Sequence, residues 1–128
     1  MEKLLLFGGT FDPPHNGHMA LLSACLAAAQ PNRALVMPAG VPPHKQASAT
    51  PGALRAEMCG CFGALSPCVE VSLWEMGQGG KNYTVDTLCM LQKAYPGARL
   101  HLCLGSDMLL SFRAWRRWRD ILRISALV

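Results

Sequence analysis

The 128-residue chain has no long apolar run. Its first apolar stretch, Leu4-Leu5-Leu6-Phe7 after Lys3, ends at Gly8. That is too short for the hydrophobic centre of a secretory signal. No segment approaches the roughly 20 apolar residues of a membrane span. A cytoplasmic location with no membrane partner is therefore expected. Charge is also sparse, at 16% of residues and a net +4. A mild basic excess favours anionic ligands but falls short of a nucleic-acid-binding signature. There is no internal repeat and no low-complexity tract. Six cysteines are present, but no Cys-x-x-Cys. Cys59-x-Cys61 followed by Cys68 is a weak zinc pattern. Buried free thiols, acting as small apolar groups, are the preferred reading, and no metal site is expected.

What is present is an alternation. Half of the residues are apolar, enough for a buried core in one domain over 1–128. Strands are expected over 4–7, 34–37, 69–73, 100–104 and 124–128. Helices are expected over 16–29 and from 84 to about 95. Leu54, Met58, Phe62 and Leu65 mark another helix; Trp115, Trp118 and Leu122 mark a fourth. Loops fill 38–51, with four prolines and one glycine, and 76–82, rich in glycine. Such alternation predicts an α/β, Rossmann-like doubly wound parallel sheet of about five strands with helices on both faces. Ligands then bind beyond the carboxyl ends of the strands. The chain stops inside its last apolar strand, so one or two further βα units are expected beyond Val128. An uncovered sheet edge would favour self-association.

The segment Gly8-Gly9-Thr10-Phe11-Asp12-Pro13-Pro14-His15-Asn16-Gly17-His18 follows the first strand. Glycines let backbone N–H groups approach an anion, and a helix start adds unpaired donors. His15 and His18, three apart, share one helix face. The segment holds no serine, cysteine or lysine, so it suits triphosphate binding and not covalent nucleophilic catalysis. Asp12 reads equally well as a turn residue or a functional one. Arg55 reads as a solvated arginine or as a phosphate ligand. Five arginines between 113 and 123 read as a solvated helix face before an RNA site or a subunit contact.

The Gly9-Thr10-Phe11-Asp12-Pro13 and His15-x-Gly17-His18 block resembles the nucleotidylyltransferase superfamily of HxGH type. Three further segments narrow the resemblance: Pro43-His44-Lys45, then Asn82-Tyr83-Thr84-Val85-Asp86-Thr87-Leu88, then Gly105-Ser106-Asp107-Met108-Leu109 with Trp115 and Trp118. Together they resemble the bacterial nicotinate-nucleotide adenylyltransferase family over nearly the whole chain. Two departures stand out. The family's C-terminal Ile-Ser-Ser-Thr-like phosphate motif, expected after the last strand, is absent because the chain ends first, and Arg123-Ile124-Ser125 is no substitute because it precedes that strand. Asn82 stands where serine is commoner.

The resemblance implies in-line adenylyl transfer from ATP to nicotinate mononucleotide, giving deamido-NAD and pyrophosphate, with Mg²⁺ on the triphosphate. His18 and His15 would be the catalytic donors to the phosphates. Gly8, Gly9 and Thr10 would bind ATP through backbone N–H groups, and Asp107 would hold the ribose. Lys45, Tyr83, Thr84, Trp115 and Arg116 would bind the second substrate, with Trp115 stacked on its pyridine ring and Asp86 behind. Each has a plainer reading: helix caps for the histidines, Thr84 and Asp107, core packing for the tryptophans, a surface position for Lys45. Three other functions stay open. One is a relative acting on another phosphorylated acceptor, such as a phosphopantetheine. Another is a nucleotide-binding fragment that no longer turns over. A nucleic-acid module comes last.

Overall fold

A computed structural model describes residues 2–40, 50–78 and 81–128. Lys45, with Pro43 and His44, lies outside the described residues. The chain opens with β1 (Lys3–Gly9), followed by α1 (Asn16–Ala29) and β2 (Arg33–Pro38). Next come α2 (Gly52–Met58), a 3₁₀ segment Cys59–Leu65, and β3 (Val69–Val71). A 3₁₀ turn at Glu75–Gly77 leads to α3 (Thr84–Ala94) and β4 (Arg99–Leu102). The last part holds α4 (Ser106–Leu110), a 3₁₀ turn Phe112–Ala114, α5 (Trp118–Ile124) and β5 (Ser125–Leu127). Among the described residues, no helix is long and apolar enough to cross a membrane.

The five strands are parallel, in the order β3-β2-β1-β4-β5. Strand side chains alternate between faces, and this divides the core in two. Leu4 and Leu6 of β1 join Leu35, Leu100 and Leu102 beneath Val85, Leu88 and Leu91 of α3 and Ile121 of α5. Leu5 and Phe7 join Ala34 and Val36 beneath Leu22 and Cys25 of α1, together with Cys59 and Phe62. Each leucine, isoleucine, valine or phenylalanine among them, fully buried, stabilises the fold by roughly 1.5–3 kcal/mol. From β1 the chain steps outward to β2 and β3, then returns to β4 on the other side. Connections leaving β1 and β4 therefore diverge, and a crevice opens at the carboxyl end of β1.

Four expectations need correction. Trp115, Trp118 and Leu122 do not share a helix. Trp115 ends a 3₁₀ turn through its N–H to Phe112 O, and Arg117 is left-handed at φ 54°, so α5 starts only at Trp118. Ile121 is the buried position there, while Leu122 is exposed. The helix marked by Leu54 is α-helical only to Met58, and Leu54 is exposed while Arg55 is buried. A guanidinium with enough backbone acceptors can be buried at tolerable cost, and Arg55 has three. The strands over 69–73, 100–104 and 124–128 are shorter as assigned, although Cys103 N–H still bonds Leu6 O. Finally, Cys25, Cys59 and Cys103 are buried free thiols, but Cys61 is exposed on the outer side of its 3₁₀ segment. Burial pushes the Cys59 thiol up to about 11.

Candidate active site

β1 delivers Gly8 and Gly9 to the carboxyl edge of the sheet, and the chain turns sharply at Phe11, with φ 52°. The turn folds the Phe11 ring back over Gly9. A Cβ at Gly9 would sit 3.1 Å from that ring, close enough that the ring would have to give way. Phe11 is buried, 5.3 Å from Phe7 and 5.5 Å from Phe62 between ring centroids.

α1 then starts with two histidines that cap it reciprocally. His15 Nδ1 accepts from Gly17 N–H at 3.1 Å and His18 N–H at 3.4 Å. His18 Nδ1 accepts from His15 N–H at 3.1 Å. Each bond satisfies a donor that the helix start leaves unpaired. The rings stack at 3.7 Å. Gly17 suits the position beneath them, since a Cβ there would press on the His15 ring at 3.0 Å. Accepting at Nδ1 fixes the tautomer of a neutral imidazole: the proton sits on Nε2. The capping role and the donor role are thus both served, by different nitrogens of one ring. The edge of the Phe11 ring holds His18 from behind, with centroids 5.0 Å apart.

Partial burial, and then the charge of His15, hold the His18 pKa below its ordinary 6.5. The unfolded chain therefore takes up this proton first as pH falls. The stability carried by neutral His18 is full above about pH 6.5 and is lost as pH falls through the lower folded-state pKa. In ligand-free protein, the His18 ring protons should titrate by NMR with a midpoint below 6.5, and the melting temperature should fall over the same interval. A midpoint at or above 6.5 would contradict this arrangement.

A cleft of ≈ 730 Å³ brings most of the expected residues together. Gly8, Gly9, Thr10, His15 and His18 line it with Tyr83, Thr84, Asp107, Trp115 and Arg116. Asp107 lies in the first turn of α4, where Gly105 occupies the cap position and no side chain caps the helix. Its alternative role as a cap is therefore not the one observed. Thr84 is not a cap either: Tyr83 is, without a side-chain bond, and Thr84 is the first helical residue. The Arg116 guanidinium stacks over the Tyr83 ring at 4.7 Å, and Trp115 packs against Phe112 at 5.4 Å. Trp118 is absent from this cleft's lining.

Two buried residues that line the cleft were not site candidates from sequence. Asn82 is buried and its Oδ1 accepts from Gly40 N–H at 3.0 Å, tying the end of β2 to the start of α3. Glu75 is buried and accepts from Thr87 Oγ1 at 2.7 Å. Burial raises its pKa, and the Thr87 hydroxyl works against that rise. Arg55, read from sequence as a solvated arginine or a phosphate ligand, is neither solvated nor in the cleft lining: 4% exposed, it donates to Ala39 O at 2.7 Å, Thr10 O at 2.9 Å and Thr50 O at 3.3 Å. Neighbouring glycine, proline and threonine residues signalled loops, but nothing local signalled these long-range partners. Among the described residues, no group of three or more His, Cys, Asp and Glu is placed to hold a metal ion.

The cytidylyltransferase-like family model matches residues 6–128. The chain belongs to that family. It is 36% identical over 125 residues to the nicotinate-nucleotide adenylyltransferase of Bacillus subtilis, covering 97% of the chain and 66% of the relative. It is 37% identical over 127 residues to a probable nicotinate-nucleotide adenylyltransferase of Acidithiobacillus ferrooxidans, covering 99% of the chain and 58% of the relative. The chain thus spans about three-fifths of the length of these curated relatives. Its fold is similar to that of nicotinic acid mononucleotide adenylyltransferase of Plasmodium falciparum complexed with NaAD, with TM-score 0.80 and 18% identity. That likeness covers 99% of the chain and 63% of the other. A second structure of that protein, complexed with APC, gives TM-score 0.83 at 18% identity over 99% of the chain and 62% of the other.

Proposed function

We propose that this protein transfers the adenylyl group of ATP to nicotinate mononucleotide, forming deamido-NAD and releasing pyrophosphate. The observation that carries the reading is the two-sided cleft. One wall is the glycine turn with its paired imidazoles; the other is Tyr83, Thr84, Trp115 and Arg116. The names of the curated relatives support the same reaction. In the reaction a phosphate oxygen of nicotinate mononucleotide attacks the α-phosphorus of ATP. The P–O bond to the β-phosphate breaks, and pyrophosphate leaves with that electron pair. The attacking phosphate is already ionised, so no base is needed to activate it. Catalysis then rests on positioning and on donors placed where charge builds.

Backbone N–H groups of residues 8–10 and the Nε2–H groups of His15 and His18 serve as those donors. Asp107 accepts from the ribose hydroxyls. Lys45 supplies a positive charge to the phosphates. Mg²⁺ bound with ATP would offset the charge of the triphosphate. Tyr83 and Thr84 offer backbone N–H groups to the pyridine carboxylate, and Arg116, anchored on the Tyr83 ring, adds a cation beside it. Trp115 presents a flat face to the pyridine ring. The location proposed for the reaction is the cytoplasm.

The test is pyrophosphate release from ATP and Mg²⁺, with nicotinate mononucleotide in one arm and a phosphopantetheine in the other. Release only in the first arm supports the reading; release only in the second replaces the acceptor. Within the same assay, Trp115→Ala should raise KM for nicotinate mononucleotide about tenfold or more, a change of ~1.4 kcal/mol, and leave KM for ATP within about twofold. Equal changes in the two would make Trp115 a packing residue.

A further inference from the structure

Among the described residues, Arg55 is the basic side chain that is buried, and no carboxylate pairs with it there. A buried cation is costly unless its surroundings compensate it. Here neutral carbonyls do so, and their origin is informative. Nη1 donates to Thr10 O, in the turn after β1, and to Ala39 O, just after β2. Nε donates to Thr50 O, just before α2. Peptide planes are rigid, and in a trans unit the N–H lies opposite the C=O. Holding Ala39 O therefore orients Gly40 N–H, which donates to Asn82 Oδ1 beside Tyr83. Ala39 N–H in turn bonds Gly9 O at 2.8 Å. Holding Thr10 O fixes the peptide between Thr10 and Phe11, both of which line the cleft. Arg55 itself is absent from that lining.

We infer that Arg55 is a positioning residue for the transfer reaction: its buried guanidinium sets the phosphate-facing turn at residues 8–10 and leaves a positive field behind it for a triphosphate. This deepens the proposed function and rests on it for the identity of the ligand. The field lies behind the loop, so the effect falls on the triphosphate more than on the second substrate. Lysine would restore charge without the planar fork; methionine would restore neither.

The experiment compares wild type, Arg55→Met and Arg55→Lys by thermal melting, by kinetics with each substrate varied, and by calorimetry with inorganic triphosphate. Arg55→Met is expected to weaken triphosphate binding about tenfold or more and to raise KM for ATP more than KM for nicotinate mononucleotide. Arg55→Lys should recover part of both losses. A variant that only melts earlier, with triphosphate affinity and both KM values within twofold of wild type, overturns the inference. If Arg55→Met does not fold, Arg55→Lys decides alone: triphosphate affinity reduced threefold or more supports it, and an unchanged affinity overturns it. If wild type binds triphosphate but does not use nicotinate mononucleotide, the acceptor reading fails while the Arg55 comparison still stands. If wild type uses that acceptor and the variants bind triphosphate normally, only the Arg55 inference fails. No triphosphate binding by wild type overturns both.

Discussion

Replacing His18 with asparagine is expected to lower kcat by two orders of magnitude or more while leaving the melting temperature nearly unchanged. The two nitrogens of this ring serve separate ends. Nδ1 accepts the His15 N–H and completes the cap of α1. Nε2–H is free of that task and is the donor proposed for the phosphates. Asparagine places an oxygen near the Nδ1 position and nothing at the Nε2 position, so capping survives and the donor does not. Losing one preorganised donor to developing charge typically costs ~10²–10³ in kcat. His18→Ala should lose kcat to a similar extent and in addition about 1 kcal/mol of stability, the usual worth of a side-chain cap. Paired urea denaturation and steady-state kinetics separate the two effects. A His18→Asn enzyme with kcat within about threefold of wild type would remove His18 from the reaction and leave it a helix cap.

The second large effect is expected at Phe11, which never appeared as a site candidate. Its ring is buried against Phe7, Phe62 and His18 and lies over Gly9. Phe11→Ala empties that space, and aromatic-to-alanine changes in a close-packed core cost about 3–5 kcal/mol. Alanine gains nothing at φ 52°, where its Cβ is as unfavourable as that of phenylalanine. Phe11→Leu should recover most of the stability by refilling the volume. The chemical midpoint of urea unfolding, at constant m-value, measures both. Loss of less than ~1 kcal/mol in Phe11→Ala would show that the ring does not hold the turn. Because the ring edge also backs His18, the folded Phe11→Ala enzyme should lose turnover as well, though less than His18→Asn.

Both residues sit in the eleven-residue block that stood out in the sequence, yet only the histidines were legible there. Two imidazoles three positions apart at a helix start share a face by helix geometry alone, and the Gly8-Gly9 turn announces close backbone approach. Reciprocal capping was less visible, because histidine is an uncommon cap and its tautomer depends on which N–H it meets. Phe11 read as one more apolar residue, since its left-handed backbone has no sequence signal and Phe62, which closes its aromatic cluster, comes from a distant segment. The same limit explains Arg55. Its place at a helix start left a solvated arginine and a phosphate ligand both open, and only the arrival of Thr10 and Ala39 beside it made burial favourable. At Trp115 and Trp118 helical spacing misled for a local reason, the left-handed Arg117 between them.

The parallel α/β class followed from the sequence alone, because apolar runs of strand length alternating with helical periods bury themselves in few ways. So did the carboxyl-edge location of the site and the pairing of His15 with His18, which depend on short-range geometry. Tertiary structure decided the strand order, with β1 central and the crevice at its end. It also decided which polar side chains are buried. Asn82, Glu75 and Arg55 each need partners contributed by other segments. A polar group pays for burial through the specific donors and acceptors it meets, and those are set by the packing of distant segments, not by neighbours in sequence.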